Sequence, residues 1–269
     1  MLSLKNMIDD HSYPNSGWGV RPILFHIGSI NIPSYSFFLF LGLIVGLFVY
    51  FYKSRNERKL NDNGILMLVG ALIGGVLGAK ILEFIINYKF LLTHANNVFA
   101  LLSGRTIVGG LIGGAIGTIL TKKLLGIKEK RGNLFAPATA IGVAIGRLGC
   151  FFRGCCYGKV TSLPWGVDFG DHLSRHPTQI YESLFMLCMF LVLEKIKRRK
   201  DIRPGQLFKI LMISYFTFRF LIEFIRIEPV IFAGLTVFQI ISIGVIIYLS
   251  RDNIKGAFVC LTNKIYARH

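Results

Sequence analysis

Two stretches carry most of the chain's chemistry: Gly-Arg-Leu-Gly-Cys-Phe-Phe-Arg-Gly-Cys-Cys-Tyr-Gly, from Gly146 to Gly158, and Arg-Phe-Leu-Ile-Glu-Phe-Ile-Arg, from Arg219 to Arg226. The second places Arg219, Glu223 and Arg226 at i, i+4 and i+7, on one face of a helix. The first brings Arg147 and Arg153 together with Cys150, Cys155 and Cys156, and between the two stretches lie Arg175, His176 and Glu182. Guanidiniums present planar forks that match phosphate oxygens, and neighbouring carboxylates can orient them or take a proton. An anionic phospholipid head group fits this inventory. An interhelical salt-bridge network that fixes packing would use the same residue types, and spacing alone leaves both readings open.

What must position these residues follows from composition. The chain has 269 residues, 53% of them hydrophobic, and its mean hydropathy is +0.56, which points to a membrane protein. Ser34 to Tyr52 runs nineteen residues without a charge and Pro229 to Ser250 twenty-two, each enough to cross a hydrocarbon core of roughly 30 Å as a helix. Gly64 to about Asn87, Thr106 to Thr121, Gly132 to about Cys150, Thr178 to Glu194 and Gln206 to Ile225 are shorter or carry charges near one end. They complete an expected all-α bundle of about seven transmembrane helices.

The basic residues test that count, because Lys and Arg in short loops set orientation. Twenty of the 31 fall after the first, third, fifth and seventh segments or at the start of the sixth, and only Lys80, Arg147 and Arg219 lie inside spans. The pattern predicts an outer N-terminus and a cytoplasmic C-terminus, and it places the chemistry-bearing residues above on the outer side. It also accounts for a net charge of +17 as a topology signal, so nucleic acid is not an expected partner. The chain reads as a single integral-membrane domain, with an outer-side arm over 1–33, a bundle over 34–250, an outer loop over 151–177 and a cytoplasmic tail over 251–269. Asp9, Asp10 and His11 interrupt the opening segment, which lacks the apolar run of a cleavable signal peptide and suits a surface-lying arm. The runs Leu72–Lys80 and Val108–Gly117 are rich in glycine at helical spacing, the mark of close helix contacts in membranes.

Six ordered motifs then carry a resemblance: RPILFHIGSINIPSYS, GALIGGVLGAKILEF, GRTIVGGLIGGAIG, GRLGCFFRGCCYG, RHPTQIYES and RFLIEFIR. Together they resemble the prolipoprotein diacylglyceryl transferase family over most of the chain. Those enzymes of the bacterial cytoplasmic membrane move a diacylglyceryl group from phosphatidylglycerol to the lipobox cysteine of a lipoprotein precursor. The resemblance implies that Arg147 holds the lipid phosphate, that Arg219 is a second essential arginine and that Glu223 accompanies it. It also implies that Tyr35, Arg175, His176, Gln179 and Glu182 lie near the site. The charge inventory adds Arg153 and Arg226 to the lipid-binding set. No metal or organic cofactor is implied.

The chain departs from the family pattern in places. Val108 stands where the family has a histidine proposed as the base, Lys80 where arginine is usual, and Cys150 and Cys155 where the signature has Asn and Glu. His176 and Glu223 are then the candidates for the base. The thiols sit on the outer side, where oxidation is permitted, and a disulfide from Cys150 to Cys155 or Cys156 is the simplest role. A zinc site with His172 or His176 and a catalytic thiolate are the alternatives. Two other functions stay open beside the family reaction: a transferase that uses the phospholipid with another acceptor, such as a glycan or another protein, and a non-enzymatic lipid-binding protein or flippase.

Overall fold

A computed structural model describes residues 19–28, 30–93, 104–198 and 201–266. The opening arm's Asp9, Asp10 and His11 lie outside the described residues. Among those described, the fold is mainly helical, and a helix falls in each of the seven expected segments: α1 (Ser34–Asn56), α2 (Asp62–Thr93), α3 (Ile107–Leu124), α4 (Gly132–Arg153), α5 (Thr178–Lys197), α6 (Gln206–Ile222) and α7 (Val237–Tyr266). The last segment, expected as a span from Pro229 to Ser250, becomes helical only at Val237, because the residues before it turn back as a short hairpin. Four of them, α1 to α4, are long and apolar enough to cross a membrane.

The ends follow local chemistry. Thr106 caps α3, its hydroxyl accepting from the Gly109 amide at 3.2 Å. Gly154, at φ 76° and ψ 30°, closes α4 in the left-handed conformation that glycine adopts without a Cβ clash. Thr236 and Gln239 form a reciprocal capping box at the start of α7, through contacts of 3.0 and 3.3 Å. Three short antiparallel hairpins accompany the helices: β1 (Ile23–Ile27) with β2 (Ile30–Pro33), β3 (Val167–Asp168) with β4 (Ser174–Arg175), and β5 (Val230–Phe232) with β6 (Leu235–Thr236). Hydropathy gives no sign of them.

Two helix pairs are joined by glycine. A Cβ on Gly78 would stand 2.7 Å from the Gly113 Cα, and one on Gly74 would stand 2.8 Å from that of Gly117, so α2 and α3 pack backbone against backbone. Gly42 brings α1 equally close to α4, since its Cβ would meet the Gly142 carbonyl at 2.5 Å. The central α4 touches α1, α5 and α6. Its Ala136, Ala140 and Ala144 meet Met186 and Leu193 of α5, Leu211, Tyr215 and Phe216 of α6, and Val108 of α3 in the main core. Large apolar side chains such as Phe48, Val76, Ile85 and Ile119 point outward instead, as suits helices whose outer face meets lipid.

Candidate functional site

α4, α5 and α6 meet at the end of the bundle that carries the cysteine-rich loop, and there they bury an unbroken line of charges. Arg147 of α4 donates through Nη2 to Glu182 Oε2 of α5 at 2.5 Å. Glu182 is 1% exposed. Its other oxygen accepts from the Tyr215 hydroxyl of α6 at 2.8 Å, and Arg219 Nη1 stands 3.9 Å from Oε2. One turn beyond, Arg219 Nη2 meets Glu223 Oε2 at 3.0 Å, and Arg226 Nε lies 3.7 Å from the same oxygen. Glu223 is also held by the Thr236 hydroxyl at 3.1 Å, and the Phe238 ring lies under the Arg219 guanidinium at 4.5 Å.

The loop after α4 finishes the construction. Gly154 reverses the chain, and Cys156 follows with a φ of 66°, a strained conformation for a residue with a side chain. This turn aims two carbonyls inward. That of Cys155 accepts from Gln179 Nε2 at 2.5 Å, and that of Cys156 accepts from Thr178 Oγ1 at 2.7 Å and from Arg226 Nη1 at 3.0 Å. Gly158 seals the loop against the Arg226 segment, since a Cβ there would stand 2.6 Å from the Ile225 carbonyl. Arg226 completes its set with Glu228 at 2.9 Å.

The thiols of Cys150, Cys155 and Cys156 lie within hydrogen-bonding reach of one another, and all three are free. Arg147 Nη1 reaches Cys150 Sγ at 3.8 Å. Hydrogen bonds from Cys150 and Cys155, with Arg226 and Arg147 close by, hold the Cys156 thiol well below the ordinary cysteine range. The hydrogen bond with Cys150 pushes Cys155 the other way. Among the described residues no group of three or more His, Cys, Asp or Glu side chains is arranged to hold a metal ion.

Several guanidinium N–H groups in this line are buried and have no hydrogen-bond acceptor: Nε of Arg147, Nε and Nη1 of Arg219, and Nε of Arg226. Buried donors are ordinarily satisfied. In the same line Glu223 Oε2 is also without a hydrogen-bond partner, and unmet guanidinium donors on neighbouring arginines are the groups that can bind a multi-oxygen anion.

The structure thus joins Arg147, Arg219, Glu223, Glu182, Arg226 and Gln179. Tyr35 stands beside the thiols, with the Arg153 guanidinium 5.4 Å from its ring centroid. Arg175 and His176 point elsewhere. Arg175 pairs with Asp171 at 2.5 Å and lies over Tyr157. His176 Nδ1 is 3.3 Å from the Tyr181 hydroxyl, which in turn accepts from Trp165 at 2.8 Å, so this imidazole braces the loop between α4 and α5. Spacing could have found Tyr215, which precedes Arg219 by one turn. The pattern Thr-Val-Phe-Gln from Thr236 to Gln239 marks a capping box, but not that its threonine also holds Glu223.

With this geometry in hand, relatives give the site a context. The profile of the family described as prolipoprotein diacylglyceryl transferase matches residues 22–250. A phosphatidylglycerol–prolipoprotein diacylglyceryl transferase of Clostridium tetani is 34% identical over 219 residues, which covers 78% of this chain and 87% of that protein. One from Geobacter sulfurreducens is 33% identical, with coverage of 78% and 83%. One from Wolbachia of Brugia malayi is also 33% identical, with coverage of 88% and 97%.

Proposed function

Because the chain belongs to the prolipoprotein diacylglyceryl transferase family, we propose that it moves a diacylglyceryl group from phosphatidylglycerol to the lipobox cysteine of a lipoprotein precursor. The reaction takes place at the outer side of the bacterial cytoplasmic membrane. The acceptor sulfur attacks the glycerol carbon that bears the phosphate ester. A C–S bond forms, the C–O bond breaks, and glycerol phosphate leaves with the electron pair on oxygen.

The observation that carries this reading is the set of four unmet guanidinium donors on Arg147, Arg219 and Arg226. Aimed at the phosphate, they stabilise the charge that grows as the ester breaks, and water-poor surroundings strengthen that effect. Glu182 and Glu223 hold the arginine planes in place, and Gln179 fixes the cysteine loop. Tyr35 and Arg153 line the side of the site facing the thiols, while Arg175 and His176 hold the outer loop. α5, α6 and α7 span the membrane with α1 to α4, giving seven crossings with the N-terminus outside. Cys150 pairs with Cys155 or Cys156 when the outer face is oxidising.

Mass spectrometry of products formed from labelled phosphatidylglycerol by the purified protein, with and without a lipobox peptide, tests this function. The expected product is peptide carrying a thioether-linked diacylglyceryl group, together with free glycerol phosphate. Label on another acceptor would replace the lipoprotein reading with a transferase of different acceptor class. Bound but unconverted lipid would leave a binding protein.

A further inference from the structure

The attack just described must release the acceptor's thiol proton, and the arginine line offers no obvious taker. Glu182 is held between Arg147 and Arg219, and Glu223 between Arg219 and Arg226. His176 is bonded to Tyr181 in the outer loop. Another buried carboxylate at this end of the bundle takes no part in the line: Glu83 of α2, 8% exposed.

Its surroundings hold it in a defined place. α2 kinks at Asn87, where the backbone takes φ −111° and ψ 23°, and the Asn87 amide turns back to donate to Glu83 Oε1 at 2.8 Å. Gly104, at φ 72°, lies against the carboxylate so closely that a Cβ there would stand 2.7 Å from Oε1. Lys80 fastens the same turn by donating to the Gly104 carbonyl at 3.2 Å. The charged and titratable groups facing Glu83 are Lys80 on its own helix, Cys156 from the loop after α4, and Glu228 from the segment before β5. Arg105, ahead of α3, faces Lys80. Cys156 and Glu228 both accept hydrogen bonds from Arg226, so Glu83 borders the arginine line from the α2 side.

We propose that Glu83 is the proton acceptor for the incoming thiol. The proposal rests on the transferase reading above. The thiol proton passes to the Glu83 carboxylate as sulfur bonds to the glycerol carbon. The C–O bond breaks toward the phosphate, which the arginines hold, and the proton then leaves Glu83 to water or the departing phosphate. A carboxylate set apart from the guanidiniums suits this role, because ion pairing with arginine weakens it as a base. Glu182 and Glu223 lack that separation.

The test uses the full chain in lipid nanodiscs with labelled phosphatidylglycerol. Glu83→Gln keeps the shape and an oxygen for Asn87 but cannot take the proton. It should lower kcat/KM with a lipobox peptide by about 10²- to 10⁴-fold while leaving phosphatidylglycerol binding intact. The acid limb of the pH–rate profile should vanish with it. An acidic small thiol, already ionised at neutral pH, needs no base, so with that acceptor Glu83→Gln and the wild type should react at similar rates. Glu83→Asp should retain part of the activity. A wild-type rate and pH profile in Glu83→Gln would overturn the proposal, as would an equal loss with both acceptors. If the wild type itself forms no thioether with either thiol, the transferase reading fails and this proposal falls with it.

Discussion

Replacing Arg147 by lysine separates charge from geometry. Arg147 makes one short contact with Glu182, at 2.5 Å, and its Nε has no partner. Lysine can keep the Glu182 contact and the positive charge, and it adds no unpaired buried charge. It loses the planar fork and the unmet donor at Nε. If Nε meets a phosphate oxygen in the transition state, that charge-assisted bond is worth about 1.5–3 kcal/mol. The loss is then roughly 10- to 10²-fold in rate at about 1.4 kcal/mol per tenfold. The assay is transfer from labelled phosphatidylglycerol to a lipobox peptide by purified protein, with thermal unfolding followed in parallel. Lost turnover with near-normal unfolding is the expected pair of results. A near wild-type rate would show that the charges serve packing and that the unmet donors do not meet substrate.

Other outcomes follow from the same geometry. Arg219→Ala should be more damaging than Glu223→Gln, in both kcat and unfolding temperature, because it strands Glu223 beside one remaining arginine, a loss of order 3–5 kcal/mol for a broken buried pair. Equal losses of kcat in the two would point to chemistry at Glu223. In protein purified without reductant, peptide mapping should find Cys150 linked to Cys155 or Cys156. After reduction, iodoacetamide should label Cys156 before Cys155 at neutral pH, and the reverse order would contradict the thiolate assigned to Cys156. A reporter active only in the cytoplasm should work when fused after Arg131 or Lys200 and stay silent after Gly170, with activity at Gly170 counting against seven crossings.

The parts legible in the sequence are those with a period. Hydropathy runs mark the seven helices, glycines at helical spacing mark the α2–α3 seam, and the i, i+4 spacing brings Arg219 to Glu223. Arg226, expected on the same helix face, joins the ion-pair chain by another route: α6 ends at Ile222, Glu223–Ile225 forms a 3-10 turn and Arg226 is extended. The cysteine loop is different. Its role depends on Gly154 and Cys156 both adopting positive φ, and no periodicity announces that a cysteine will do so. The resemblance marked His176 as near the site, but its ring turns to the Tyr181 hydroxyl, a contact that no spacing announces. Glu83 is hidden for another reason: it follows Lys80 in a mostly apolar run, and nothing in residue type announces that Asn87 and Gly104 will close around its carboxylate. The hairpins share this invisibility, being too short to alternate.

The glycine seam has a further effect on where things stand along the membrane normal. Gly70, Gly74 and Gly78 face Gly117, Gly113 and Gly109 in order, and sliding one helix along the other would break this glycine-to-glycine match. α2 and α3 therefore favour one alignment along their axes. Glu83 near the top of one helix and the capped start at Thr106 of the other are fixed at a common depth. A lipid head group arriving at that end meets a ruler already set.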